Sequence, residues 1–439
     1  MRTATPPTTH KQDGAHPSRE QARFAFYVLL AINILNYVDR SVISSIFPKL
    51  QAEFGLSDAK LGLLNSSFLL IYGLCTLPLG VWADKGVRKN IVAVCVTIWS
   101  IATALGGFTR NFVQLFITRA FLGIGEAGYA PASLSMIGDY FPKEQRGRML
   151  SLWSIGNLIG TALGLLIGGH VAEAWGWRWV FYLVGLPGLL TAFLIWRVTE
   201  PKRGAFEQGH DTENEAALAH GSIGADFFKI FKKLLLIPTY WVIVAAFICS
   251  FFITGAALTW VPTFLVREFG QTLSQASNIS SGVLGAGSLV GTLFGGWLAD
   301  SLQRRMPQGR MLVTTIAFLA GAPLTWLALS FHQLPIFITI FVIAIICLTM
   351  CLGPIQAIVQ DIISPTMRST AVGLALLLGH LLGDAASPLI IGIISDRTSI
   401  GFAMRLCAPL CLLLAGLVCL IGLRTVNKDM QNMEAQLHK

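Results

Sequence analysis

Hydrophobic residues in this chain come in long unbroken runs, not in alternation with polar ones. Twelve runs, each of about the 20 residues needed to cross a bilayer, lie at 24–47, 61–83, 91–109, 113–138, 149–173, 178–199, 239–266, 276–299, 311–331, 335–360, 369–395 and 401–424. Backbone amides cannot stay unpaired in hydrocarbon, so runs of this length must be helices. The two-residue alternation of a transmembrane barrel strand is absent. The expected fold is an all-α membrane protein of twelve transmembrane helices.

Composition agrees with the pattern. Of 439 residues, 54% are hydrophobic and 13% charged, and the mean hydropathy is +0.65, too greasy for a soluble sphere of this length. An even number of spans puts both ends of the chain on one side. The loops on that side carry 23 Lys and Arg and the opposite loops 7, so both termini are expected in the cytoplasm. The first apolar run begins only at Phe24, after a long polar stretch, and reads as a retained span and not a cleaved leader. A multi-pass protein of the cell membrane is expected, in the bacterial inner membrane. The net charge of +9 requires no nucleic acid, because anionic lipid headgroups attract basic loops. All eight cysteines fall inside spans without metal-ligand spacing, and read as buried thiols. No metal or cofactor is expected. No Walker sequence, metal-spaced histidines or nucleophile elbow argues for an enzyme.

One hydrophilic stretch divides the spans six and six. The expected organisation is a tail at 1–23, a six-helix bundle at 24–199, a linker at 200–236, a second bundle at 237–424 and a tail at 425–439. The linker is polar and acidic from Phe206 to His220, with a short amphipathic helix at Phe227–Leu236. The two halves repeat each other. Gly80, Asp84 and Arg88 after the second span are answered by Gly296, Asp300 and Arg304 after the eighth, and Asp139, Pro142 and Arg146 by Asp361, Pro365 and Arg368.

Charges inside the spans carry the chemistry. An ionised side chain at the bilayer centre costs about 2.5–3.5 kcal/mol even on the lenient insertion scale, so such groups face a wet cavity or pair with each other. Asp39 and Arg40 lie in the first run, Arg119 and Glu126 in the fourth. Arg119 and Glu126 are two helical turns apart and share a face. Counting at about 1.5 Å per residue places Asp39 level with Arg119, and Glu126 about 10 Å nearer the cytoplasm. A string of carboxylate, arginine and carboxylate is what a proton relay requires. Burial raises a carboxylate's pKa and a nearby arginine lowers it, so small changes in access can make such a group titrate. In the eleventh run, His380 and Asp384 are adjacent on one face. The seventh run offers Phe247, Phe251, Phe252, Thr254 and Trp260, and the tenth Met350, Gln356 and Gln360. The ladder Gly156, Gly160, Gly164, Gly168 on the fifth run reads as a close-packing surface.

A duplicated bundle with Gly80–Asp84–Arg88 and its second copy resembles the major facilitator superfamily over the whole transmembrane region. Arg119–Ala127 resembles that superfamily's fourth-helix motif, in which a buried arginine assists proton transfer. The glycine ladder has the spacing of the superfamily's antiporter motif without its Gly-Pro. Finer matches resemble the Spinster-like branch: Asn36–Arg40, Gly125–Pro131, Asp139–Phe141, Arg146–Ser151 and Gly379–Pro388. The resemblance implies a proton-coupled, alternating-access carrier, a monomer, whose partners are the proton, membrane lipid and an amphiphilic or anionic small molecule. For that branch the cargo is a lysophospholipid or sphingoid lipid. Organic-anion:proton symporters share the Asp39–Arg40 pair and the Arg119 and Glu126 positions, so a sugar acid is the alternative. The expected proton-coupling residues are Asp39, Glu126, Arg40 and Arg119. Arg40, Arg119, Tyr37, Tyr129, Gln356, His380 and Asp384 are expected to meet substrate. Gly80, Asp84, Arg88, Asp139, Arg146, Asp300 and Arg304 are expected to form the cytoplasmic gate, with Asp84 latching the two halves.

Overall fold

Every apolar run forms helix, and many helices extend past the hydrocarbon. The computed structural model describes residues 18–204, 206, 230–364 and 367–437, with the side chains of Leu77, Val81, Asp84, Lys85, Ser369, Gln436 and Leu437 also outside the description. The first half comprises α1 (Arg19–Phe54), α2 (Asp58–Lys85), α3 (Arg88–Gly106), α4 (Phe112–Ala127), α5 (Tyr129–Tyr140), α6 (Lys143–Ala174) and α7 (Trp177–Arg197). The second comprises α8 (Pro238–Phe269), α9 (Leu273–Gln303), α10 (Gly309–Ser330), α11 (Leu334–Met350), α12 (Leu352–Ile362), α13 (Arg368–Gly379), a π-helical turn at His380–Asp384, α14 (Ser387–Arg397) and α15 (Ile400–Leu437). Most of the linker, and Pro365 of the repeated loop signature, lie outside the described residues. Residues 230–235 are helical, with Leu234 buried.

Among the described residues, eleven stretches are long and apolar enough to cross a membrane. The twelfth span is α4 with α5, which is broken at Gly128. The breaks in spans four, ten and eleven share a cause. Proline lacks the N–H that bonds four residues back, so Pro131 frees the carbonyl of Ala127, Pro354 that of Met350 and Pro388 that of Asp384. Each helix or π-turn ends on that residue. At the π-turn the amide of Ala385 reaches the carbonyl of His380 instead, at 3.0 Å.

Glycines set the closest helix approach. Along α6, a methyl at Gly160 would strike the Ile34 carbonyl of α1, at Gly164 Ser41 and Val38, and at Gly168 Ser45 and Val42. The ladder is therefore the seam on which α6 lies against α1.

The halves meet along α1 with α8, α2 with α14, and α6 with α9. Among the described residues, the hydrogen bonds between halves all lie from mid-membrane toward the face opposite the chain ends, here the far face. Asp58, the first residue of α2 and buried, is their hub. Arg267 from α8 grips it with both terminal nitrogens, at 2.7 and 2.6 Å. Ser395 of α14 donates to it at 2.5 Å and Gln51 of α1 at 3.2 Å. Asp396 then caps α2, accepting from the amides of Asp58 (2.7 Å) and Ala59 (3.0 Å), where a carboxylate meets the positive end of the helix dipole. Glycines at the same seam let α2 and α14 touch, Gly62 on the Pro388 carbonyl and Gly392 on that of Asp58. Toward the face carrying the chain ends, a methyl added at Gly80 on α2, Gly296 on α9, Gly353 on α12 or Gly373 on α13 would meet nothing within 4 Å. The halves are closed at the far face and part toward the face of the chain ends.

Asp58→Asn should therefore favour opening of the far face. Truncating one partner of a hydrogen-bonded buried charge pair costs about 2–5 kcal/mol, and a contact made in one state biases the equilibrium by its loss. Thiol labelling of cysteines placed on far-face loops should rise at least tenfold in Asp58→Asn and in Arg267→Gln, a factor equal to about 1.4 kcal/mol. Unchanged labelling in both would remove the latch.

Candidate functional site

The intramembrane charges assemble where α1, α2, α3 and α4 meet. Asp39 and Arg40 are consecutive, so their side chains leave α1 about 100° apart and take different neighbours. Asp39, 1% exposed, accepts a hydrogen bond from Thr103 of α3 at 2.7 Å. Arg40 turns toward α4, and its Nε donates to Glu126 Oε2 at 2.7 Å; the glutamate is fully buried. Three rings surround that guanidinium, those of Tyr72 at 4.4 Å, Tyr37 at 5.2 Å and Phe68 at 5.4 Å. Arg119 lies over the same Phe68 at 4.9 Å and makes long contacts of 3.4 Å to the Asp39 carbonyl and to Asn65 Oδ1.

This arrangement corrects one detail of the expected string. Glu126 takes Arg40 as its partner, and Arg119 reaches the backbone of Asp39, not its carboxylate. The aromatic box of Phe68 and Tyr72, with Thr103 and Asn65, was not legible in the sequence, because their roles depend on which helices lie beside α1. Desolvated cation–π contacts are worth about 2 kcal/mol or more, so the box is a substantial part of what holds Arg40 inside. Among the described residues, Arg119 Nε and Glu126 Oε1 have no protein hydrogen bond. The cluster thus retains a donor and an acceptor with which to rearrange when a proton or a ligand arrives.

Across the seam, the π-turn presents His380 and Asp384. Their side chains bond at 2.9 Å, and the imidazole stacks on Phe251 of α8 with centroids 4.6 Å apart. His380 is half-exposed and Asp384 mostly buried, at 50% and 19%. Gly379 and Gly383 permit this, since a methyl at either would enter Phe251. The turn packs against α2 of the other half as well as α8.

The sequence model of the Major Facilitator Superfamily matches residues 29–388. The chain belongs to that superfamily. Within it the transporter is Spinster-like: it is 30% identical to Protein spinster homolog 1 of Xenopus laevis over 391 residues, covering 85% of this chain and 73% of that protein. The human Protein spinster homolog 1 is 30% identical over 404 residues, with 88% and 74% covered. Among solved structures, a bacterial homolog of the human lysosomal transporter Spinster, inward-facing and unoccupied, superposes with a TM-score of 0.80 at 26% identity, over 95% of this chain and 98% of that one. A D-xylose–proton symporter shares the fold, with a TM-score of 0.70 at 17% identity, over 90% and 97%. The protein is a multi-pass membrane transporter and not an enzyme.

The remaining expected residues of the transporter divide clearly. Tyr37 is half-buried at the Arg40 box, and Gln356 and Gln360 are exposed on one face of α12, opposite its buried Ile355, Ile358 and Val359. Tyr129 stands apart from that group. It is 1% exposed, edge-on to Trp99, with its hydroxyl bonded to Asn33, because the break at Gly128 turns it into the core of the first half. The seventh-helix aromatics are also mostly packing: Phe247 and Trp260 are buried, and Trp260 donates to the Pro388 carbonyl at 3.2 Å. Phe251, under His380, is the partly exposed one.

At the expected gate, Arg88 is 1% exposed and works within its own half. It pairs with Asp139 of α5, with Glu200 Oε1 at 2.8 Å, with Ser135 Oγ at 2.8 Å and with the Pro201 carbonyl at 2.8 Å. The second half repeats the clamp with a different arginine. Arg310, not Arg304, holds Asp300 at 2.8 Å and Asp361 at 2.6 Å, while Arg304 is exposed beyond the end of α9. Arg304 ends the helix with its side chain out, and the longer loop that follows brings Arg310 back into the place Arg88 fills. Arg146 lies by Gly138, Gly80 faces open space, and the Asp84 side chain is outside the described residues.

Lysine keeps the charge of arginine but not its planar fork and ring stacking. Arg40→Lys and Arg119→Lys should each lose most transport, about tenfold or more for the loss of one charge-assisted bond plus a desolvated ring contact. Flux by reconstituted protein, corrected for folded amount, measures this. Near-normal rates would reduce both residues to point charges.

Proposed function

We propose that the protein is a proton-coupled secondary transporter working by alternating access, and that its cargo is a lysophospholipid or a sphingoid-type amphiphile. The observation that carries the coupling is the Arg40–Glu126 pair, its glutamate fully buried and its arginine mostly so, beside Asp39 and Arg119. In this reading Glu126 and Asp39 carry the proton. Protonating Glu126 discharges the partner of Arg40, which becomes free to meet an anionic headgroup, and deprotonation restores the pair and releases cargo. The affinity of the two arginines for anion and for carboxylate is thus exchanged within one site, as coupling requires. By the excess of basic residues on the loops beside the chain ends, that face is cytoplasmic, and the described conformation is open inward.

Membership of the Spinster-like branch supports the lipid cargo, and the exposed His380, stacked on Phe251 at the seam, offers a headgroup a polar contact beside an apolar wall. A small organic anion such as a sugar acid is the second reading, favoured by the shared arginine and carboxylate positions. It would need a closed pocket with several hydrogen-bond donors, and the second half offers chiefly His380, Gln356 and Gln360.

Two measurements test these statements. Asp39→Asn and Glu126→Gln should abolish transport driven by a pH gradient in proteoliposomes while leaving expression and folding intact; wild-type coupled flux in both would exclude them as proton carriers. Binding of lysolipids should strengthen with chain length, by up to about 0.8 kcal/mol per buried methylene. Independence of chain length, with thermal stabilisation by a short hydrophilic carboxylate instead, would favour the anion symporter.

A further inference from the structure

Among the described residues, Asn65 of α2 is where the charged centre is wired directly to the seam between halves. It is 7% exposed. Its Oδ1 faces Arg119 at 3.4 Å, and its Nδ2 donates to Ser44 of α1 at 3.2 Å and to Thr259 of α8 at 3.0 Å. The direction of the amide is fixed by chemistry. A guanidinium only donates, so the oxygen must point at Arg119 and the NH₂ must point at the two hydroxyls. Ser44 is 2% exposed and Thr259 3%, so an amide hydrogen that lost Thr259 could not turn to bulk water in the closed arrangement, and an unmet buried donor is costly.

The three bonds reach two bodies that move differently. Ser44 and Arg119 ride with the first half, and Thr259 with the second. Opening the far face must break the bond to Thr259, because α1 and α2 separate from α8 there. We propose that Asn65 is a positioning residue that links the state of the Arg119–Asp39 centre to closure of the far face. It rests on the proton-coupled reading above. When Asp39 is ionised, Arg119 is drawn toward it and its hold on Asn65 Oδ1 is weakened; when Asp39 is neutral, Arg119 gives that oxygen its full donor strength and keeps the amide aimed at Thr259. Proton binding then favours the closed far face, and release of the proton favours its opening. The charged and titratable groups around Asn65 are Asp39 and Arg40 on α1, Arg119 and Glu126 on α4, and, across the seam, His380 and Asp384 in the π-turn against α2. Further toward the far face come Asp58, Arg267 and Asp396.

The test reads far-face opening against pH in the full-length protein in lipid nanodiscs. Arg110→Cys and Gln333→Cys, both at exposed far-face loops, carry a water-soluble spin label, and the distance between them gives the open fraction. The wild-type background should open as pH rises through one titration. Asn65→Leu, and separately Thr259→Val, should cut the pH-driven change in the open-to-closed ratio by about threefold or more, the factor expected for one hydrogen bond. The double variant should do no more than either single one, since both sever one path. Thr259→Val keeps the side-chain shape and gives the same reading if Asn65→Leu folds poorly. A uniform shift of the open fraction at every pH, with the amplitude and midpoint unchanged, would make Asn65 a packing residue and overturn the proposal. A wild-type ratio that does not respond to pH would instead overturn the proton-coupled reading, and this inference with it.

Discussion

A charge inside a membrane persists only where other groups replace the water it has lost, and the architecture around residue 40 is organised by that requirement. Glu126 supplies countercharge to Arg40, and Tyr72, Tyr37 and Phe68 supply ring faces. These come from α1, α2 and α4, so satisfying one guanidinium fixes how three helices stand. Removing one member strands the others, and for a buried pair that costs about 3–5 kcal/mol. The same dependence makes the site switchable: a proton on either carboxylate changes what its arginine requires.

The two faces of the membrane are held by different logic. At the far face, Asp58 collects Arg267 and Ser395 across the seam between halves, with Gln51 of its own half beside them. At the other, Arg88 and Arg310 each tie together helices of their own half. In the proposed alternating-access cycle, bonds inside a half survive its rocking, while bonds between halves must break and re-form. On that reading the clamps keep each half rigid, and the latch sets which face is shut. A seam lined by Gly62 and Gly392 lets α2 and α14 come close enough for the latch to form.

The broken helices sit in spans four, ten and eleven, where the proposed cycle needs compliance. The π-turn at His380–Asp384 leaves backbone carbonyls without their usual partners, and it packs against both α8 and α2. A π-turn is a frequent companion of functional sites, and here it aims an imidazole and a carboxylate, four residues apart, at the seam. The stack on Phe251 fixes the ring.

Sequence alone determined the class of the molecule and the order of its spans, and it picked out the four intramembrane charges, because each follows from local rules: the length of an apolar run, the cost of an intramembrane charge, the spacing of a motif. It did not show that the first and last helices run on past their apolar runs to Phe54 and Leu437. It placed the glycine ladder on a packing face but not on α1. Tertiary structure decided everything that depends on which helix lies beside which. Prolines at 131, 354 and 388 accompany breaks, while those at 187 and 262 lie in continuous helices, so the chain cannot announce which of them bends. Arg40 chose Glu126 because consecutive residues on α1 diverge. Arg310 takes the clamp position expected of Arg304 because the loop between spans eight and nine is longer than its counterpart, and Tyr129 is packed into the core because its helix turns at Gly128. Pairings of this kind are set by geometry over long separations in sequence, where no periodicity records them.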